Sequence, residues 1–362
     1  VGRQFRVPGS VSPAFSQGTT DDVRGILAST SPGYHFGMSN LEKEPAELLC
    51  ETPRDVGPGV VILEPRDVPL GGPRAMNVRR TLPQRKRSLI GAWCFVDHYG
   101  PDEVAERGGM VVPPHPHTGL QTVSWLFAGT VEHRDSAGSH AMVRPGELNL
   151  MTAGRGIAHS EVSTPSTSVL HGAQLWVALP NASRHHGPFF EHFVPHAAPF
   201  GDAVLRVFVG SLAGLSSPAT TFSELVGAQI DLPAGASVDL PVDSRFEHGF
   251  LVDSGELTLQ GTVVPVSHLG YLEPGPSSIR IETRDAPLRL LLIGGVPLGE
   301  SIVMWWNFIG RSHEEIVQFR AEWQADVIGG GTAHGRFGTV RGYDGRPLSA
   351  PELPNVRLRP RE

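Results

Sequence analysis

Cysteine is almost missing from this chain: Cys50 and Cys94 are the only two in 362 residues. A disulfide framework is therefore excluded, and the spacing of the pair excludes a thiolate zinc site. Long apolar runs are missing too. None reaches the length of a membrane-spanning helix, and Val1 to Ser10 lacks the charged-then-apolar layout of a secretory leader. Positive charge is scarce, with 30 Lys and Arg against 37 Asp and Glu and a net charge of −7. No basic surface is available to dominate a nucleic-acid complex, so nucleic acid is not expected as the principal ligand. These absences together lead us to expect a soluble cytoplasmic protein with no membrane partner.

What the chain has instead is glycine and proline, 43 and 32 residues. Together they make about a fifth of the sequence, which disfavours a helical bundle. Residues 1–57 mix Gly, Pro, Ser and charge without sustained periodicity, apart from a possible short helix around Asp21 to Ala28. We read them as an extended arm. From Val60 onward, short apolar runs alternate with Gly, Pro and Asp: Val60 to Leu63, Leu89 to Phe95, Leu120 to Phe127, Val204 to Val209, Phe250 to Val252 and Leu288 to Ile293. Many short strands with Gly/Pro turns mean an all-β sandwich or barrel. Ser312 and Glu315 form a capping-box pair. Ile316, Phe319, Trp323 and Val327 follow at helical spacing, so one helix is expected here, with a tail laid over the surface from Gly329 onward. His117 to Thr130 and His248 to Thr258 each run from a His through apolar residues to a Gly turn. That loose repeat suggests two copies of one β-barrel unit. The boundaries that follow are 1–57 arm, 58–182 first barrel, 183–298 second barrel and 299–362 helix and tail.

Eleven of the 16 histidines lie between His98 and His196. His115 and His117 stand at i and i+2 among prolines that favour extended backbone, so the two imidazoles face the same side of a strand, roughly 6 to 7 Å apart. His159 and Glu161 repeat the spacing with one carboxylate. On neighbouring strands all four side chains point into one interior. Three imidazoles and a carboxylate suit one divalent first-row metal (Fe, Mn, Co, Ni, Cu or Zn), with open positions left for substrate or dioxygen.

Five segments carry a family resemblance: Val78 to Pro83, Phe95 to Pro101, Pro114 to Gly119, Glu132 to Ser136 and Met151 to Glu161. In this order they resemble the signature of the pirin family, over roughly residues 60 to 325. The resemblance implies a bicupin, two jelly-roll barrels in tandem. It implies His115, His117, His159 and Glu161 as metal ligands, with iron as the usual metal. It also implies one of two roles. The first is a quercetin 2,3-dioxygenase-like enzyme acting on a flavonol-like aromatic substrate and dioxygen, with Glu161 as the only ligand able to act as a general base. The second is a non-catalytic, redox-responsive regulatory protein that binds transcriptional or metabolic partners.

In the second half, His248 aligns with His117 and Phe246 with His115, and nothing after Pro274 matches the His-x-Glu pair. The second barrel is therefore expected to be structural. Asp97-His98 reads as a structural corner rather than a catalytic pair. His171 reads equally as support for the metal site or as a satisfied core histidine. His185, His186, His192 and His196 are expected to be exposed in a connector. Trp125, Phe127 and Met151 read as core that could line a substrate pocket if they face inward, and Cys94 as a small buried hydrophobe.

Overall fold

The computed structural model describes residues 59–70, 76–107, 109–330 and 335–361. The expected arm and its short helix lie outside the described residues. Within them the chain is all-β with one α-helix, in two similar halves. The N-terminal half pairs a seven-stranded sheet with a four-stranded one. The small sheet runs in the order Val111–His117, Ile157–Ser163, Val131–Asp135, His140–Val143. The C-terminal half pairs an eight-stranded sheet with a four-stranded one, ordered Ser237–Pro241, Ser278–Glu282, Leu257–Leu259, Thr262–Val264.

Each half has a core between its own large and small sheets. Val78, Tyr99 and Leu126 meet Val112, Val131 and Ala158 in the first, and Ala228, Phe250 and Leu290 meet Val238, Leu257 and Ile279 in the second. The large sheets then pack back to back, with Val123, Trp125 and Leu175 against Phe208, Leu251, Leu291 and Ile293. A sheet covered on both faces needs apolar side chains at successive positions, and a sheet wet on one face needs alternation. Leu288–Gly295 is accordingly buried almost throughout, whereas Ser278–Glu282 buries only Ile279 and Ile281. Gly91 sits directly against Gly295 of the other half. Its φ is +55°, and a Cβ there would lie 2.8 Å from the Cα of Gly295, so neither its conformation nor its space admits a larger residue.

The apolar runs named from the sequence form strands, with one difference. Leu89 to Ala92 is a tight turn closed by an Ile90–Trp93 bridge, and the strand begins at Trp93. The helix is His313–Trp323, with the Ser312 hydroxyl accepting the Glu315 N–H. The capping box is only half made, because the Glu315 carboxylate turns instead to the Arg311 N–H and the Arg184 guanidinium. The tail is more than a surface strap: Phe337, Leu348 and Leu358 are buried with Ile316 and Trp323 over the N-terminal half. At the other end of the chain, Val61–Leu63 pairs with Leu269–Leu272 in the C-terminal half's large sheet. Each half is thus completed by a segment distant from it in sequence.

Candidate metal centre

His115 and His117 lie on the strand Val111–His117, and His159 and Glu161 on Ile157–Ser163. The strands are antiparallel neighbours with His115 opposite His159, and a bulge between His159 and Glu161 shifts the register. Alternation places the four side chains on the inner face, and all four are at most 1% exposed. The three imidazoles form one close group, with ring centroids 4.2 to 5.1 Å apart. Glu161 does not belong to that close group. Its Oε1 is 3.3 Å from the Ser124 hydroxyl, and its Oε2 is buried with no protein partner.

Each ring is oriented through its other nitrogen. His115 Nδ1 donates to the Pro113 carbonyl at 2.9 Å, and His117 Nδ1 to the Asn307 carbonyl at 3.2 Å. His159 Nδ1 lies 3.4 Å from His133 Nδ1, and His133 Nε2 lies 3.2 Å from Asp135 Oδ2. An ionised Asp135 accepts the His133 Nε2–H, and with His133 neutral its Nδ1 accepts from His159 Nδ1–H. The hydrogen-bond network thus assigns the tautomers, and all three Nε2 atoms are left as lone pairs.

The protonation states agree with this. Burial lowers His115 to about 4. Burial and the neighbouring imidazoles hold His117 and His159 well below the ordinary histidine value. Burial pushes the Glu161 carboxyl up, against the pull of His133 and Ser124. Burial also works against Asp135, but hydrogen bonds from His133 and Ser139 keep it below its usual value.

These atoms fit a cation. His117 Nε2 and His159 Nε2 are 3.1 Å apart, and two lone pairs at that distance repel unless something positive lies between them. About 3 Å is also the spacing of adjacent nitrogen ligands held at roughly 2.1 Å from one ion. The orphaned Glu161 Oε2 makes the same point, because a buried carboxylate oxygen without a donor is otherwise a large desolvation cost.

The cover comes from the C-terminal segment. Val303–Trp305 and Phe308–Gly310 form a hairpin whose Phe308 bridges to Thr118 and whose Asn307 is fully buried. Trp176 sets its ring edge-on to His117 at 5.1 Å and stacks on Phe95 at 4.0 Å. The Asn307 amide, the Tyr99 hydroxyl and the Trp176 Nε1 are all buried without protein partners.

His133, Asp135 and Asn307 were not singled out from the sequence. The i, i+2 spacing of His133 and Asp135 was a usable signal, but the role of Asn307 depends on a contact 190 residues away from His117.

The other candidates fall elsewhere. Asp97 makes a two-point ion pair with the buried Arg80, at 2.6 and 2.8 Å. His98 and His171 converge on Asp253 of the opposite half at 2.7 and 2.6 Å, so His171 does not support the metal site. Trp125 donates to Gln229 across the interface at 2.9 Å. Phe127 lies under Arg289. Both pack in the core between the large sheets and away from His115, His117 and His159, as their reading as core residues expects. Met151 packs with Phe95 and Trp176, and Cys94 is fully buried beside them.

The second-half alignment also changes. His248 lies on Glu247–Ser254, the counterpart of Leu120–Ala128, and not on the counterpart of the His115 strand. That counterpart is Ser237–Pro241, whose buried side chains are Val238 and Leu240, paired with Ile279 and Ile281. Strand order decides the equivalence, which residue spacing alone had misplaced.

Two tandem jelly rolls with a buried histidine group in the first define a bicupin. The family description Pirin matches residues 75–177, and Pirin C-terminal cupin domain matches residues 227–329. A Pseudomonas aeruginosa protein provisionally named quercetin 2,3-dioxygenase is 40% identical, over 80% of this chain and 89% of its own length. A pirin-like protein of Caulobacter vibrioides is 32% identical, over 68% of this chain and 88% of its own. The crystal structure of a quercetin 2,3-dioxygenase from Acinetobacter baumannii superimposes with a TM-score of 0.76 at 35% identity, covering 83% of this chain and 97% of that one. The chain belongs to the pirin family. Among its described residues, no helix is long and apolar enough to cross a membrane.

Proposed function

We propose that the protein is a metal-dependent dioxygenase of quercetin 2,3-dioxygenase type, with a divalent transition metal, iron foremost, held by His115, His117, His159 and Glu161. The observation that carries the reading is the convergence of three imidazole lone pairs whose opposite nitrogens are all engaged. The names of the relatives at 40% and 35% identity support the substrate class, a flavonol-like aromatic together with dioxygen. A metal bound there would supply Lewis acidity toward a flavonol's 3-hydroxyl and adjoining carbonyl, and redox contact with dioxygen.

The chain's own residues do the rest. Glu161 is the ligand that can take the 3-hydroxyl proton, by releasing the Oε2 that would otherwise meet the metal. The Ser124 hydroxyl steadies its other oxygen. The unpartnered Asn307 amide and Tyr99 hydroxyl are available to orient polar groups of a substrate. The Trp176 and Phe95 rings exclude water behind His117.

One observation favours the second reading, a regulatory protein that senses the redox state of its metal: the imidazoles are sealed from solvent. A flavonol reaches them only if the residues that cover them move aside. Oxygen uptake by the metal-loaded chain with quercetin decides between the two. The enzyme reading expects flavonol loss that depends on metal and oxygen, abolished in His115→Ala and cut about a hundredfold in Glu161→Gln with metal retained. Failure of the iron, manganese, nickel, copper and cobalt forms to cleave any flavonol would transfer the conclusion to the regulatory reading.

A further inference from the structure

The C-terminal half contains a cavity of its own. It measures about 780 Å³ and opens at the end of the sheet where Ser237–Pro241 turns into Glu247–Ser254. That volume lies within the range of small-molecule sites, roughly 300 to 1,000 Å³. The strands equivalent to those of the histidines bury Val238, Leu240, Ile279 and Ile281, none of which lines this cavity, so the cavity does not repeat the metal chemistry. Its wall is apolar where Phe200, Leu212 and Phe246 stand, and polar at Ser223, Glu224, Asp243 and His248.

His248 is the feature that calls for a ligand. The residue is 1% exposed and lines the cavity, yet its Nδ1 is buried with no hydrogen-bond partner. Among the described residues, none bonds to its Nε2 either. The Ser223 hydroxyl is likewise buried and unpartnered. Buried polar atoms are nearly always satisfied, and two unsatisfied side chains on one cavity point to a group that enters it.

The chemistry of that group follows from the wall. Burial lowers His248 to about 4, against the opposing charge of Asp243, so the ring is neutral at pH 7 and offers one N–H and one lone pair. A hydroxyl, which can donate to the lone pair or accept from the N–H, matches either nitrogen. Arg245 is already clamped by Glu224 at 3.0 Å and Asp243 at 2.7 Å. Two carboxylates on one guanidinium leave this wall net negative, which disfavours an anion. The rings of Phe200 and Phe246 favour a flat aromatic body. We propose that this cavity binds an uncharged hydroxylated aromatic compound, with its hydroxyl on His248 and its ring against Phe246. The site is separate from the histidine group and stands whether or not the dioxygenase reading holds.

The test is calorimetric titration of the metal-free full chain with phenol, and with benzoate as the anionic counterpart. Phenol should bind. Its affinity should fall at least about tenfold in His248→Phe, which keeps ring volume and removes both nitrogens. Thr221→Trp, at the half-buried margin of the cavity, should block binding by filling it. His117→Ala should bind phenol like the parent chain, which separates this site from the metal centre, and benzoate should bind more weakly than phenol. His248→Phe should leave flavonol turnover unchanged. The proposal is overturned if millimolar phenol does not bind, if binding survives both cavity variants, if His117→Ala removes it, or if benzoate binds as tightly as phenol.

Discussion

Replacing Asp253 by Asn tests what joins the two jelly rolls. The Asp253 carboxylate is fully buried at their interface. It accepts from His98 Nε2 at 2.7 Å and from Arg289 Nε at 2.6 Å, and His171 Nε2 lies 2.6 Å from the same oxygen that His98 reaches. Arg79 approaches His98 Nδ1 at 3.3 Å. A guanidinium can only donate, so His98 Nδ1 is an acceptor and its proton sits on Nε2, facing Asp253.

The substitution keeps the shape, removes the charge, and sets an amide against donors that wanted an anion. Breaking one partner of a buried ion pair costs about 3 to 5 kcal/mol. The Arg289 side chain is 31% exposed and can partly rehydrate, so the loss should fall at the lower end, about 3 kcal/mol. Urea unfolding at pH 7 measures it as a lower midpoint at unchanged slope.

The pH dependence adds an independent check. Burial opposes ionisation of Asp253, but the hydrogen bonds and charges of His171 and His98 hold its carboxyl well below the ordinary value. A depressed carboxylate contributes stability that is complete above the unfolded-state pKa, near 4, and is lost as pH falls toward the folded value. The difference between parent and variant should therefore be constant from about pH 7 to 5 and shrink below about 4. A loss under about 1 kcal/mol at pH 7, the size of an ordinary exposed pair, would refute the reasoning. So would a difference that does not shrink in acid.

Three further outcomes follow from the same structure. His159→Ala should lose metal in elemental analysis yet keep its far-ultraviolet dichroism, because the apolar clusters of both halves do not depend on that ring; unfolding at room temperature would make the metal structural. Asp135→Asn should weaken metal binding by about 10- to 100-fold in chelator competition, since it leaves one acceptor oxygen for both the His133 Nε2–H and the Ser139 N–H and so loosens the His133 and His159 tautomers. Cys94, fully buried with its thiol pushed up to about 12 by desolvation, should remain unmodified by a thiol reagent in the native chain and react on unfolding, as read by peptide mass spectrometry.

Some of this architecture is written locally. Alternation along a strand puts His115 and His117 on one face at any register, and His159 and Glu161 likewise, so the shared face of the candidate site needs no tertiary information. The Ser312 cap and the Ile316, Phe319, Trp323 stripe are equally local, because caps and helix faces depend on residues within one or two turns. The apolar runs show where strands lie. They do not show which sheet a strand joins, since a run buried on both faces reads the same in either half. Only packing sends Val61–Leu63 to the C-terminal half and the tail from Phe337 to Leu358 back over the N-terminal half.

Strand order likewise corrected the place of His248, because a repeat with unequal loops aligns by hydrogen-bonded neighbours and not by residue count. Three features exist only through chain segments far apart in sequence: the Asp135–His133–His159 chain, the Asn307 carbonyl on His117, and the Asp253 junction of the two halves. Side-chain type determines which atoms can coordinate, donate or accept. Which atoms meet is decided by the burial of apolar surface, which folds distant strands together and leaves each buried polar group to find a partner or wait for a ligand.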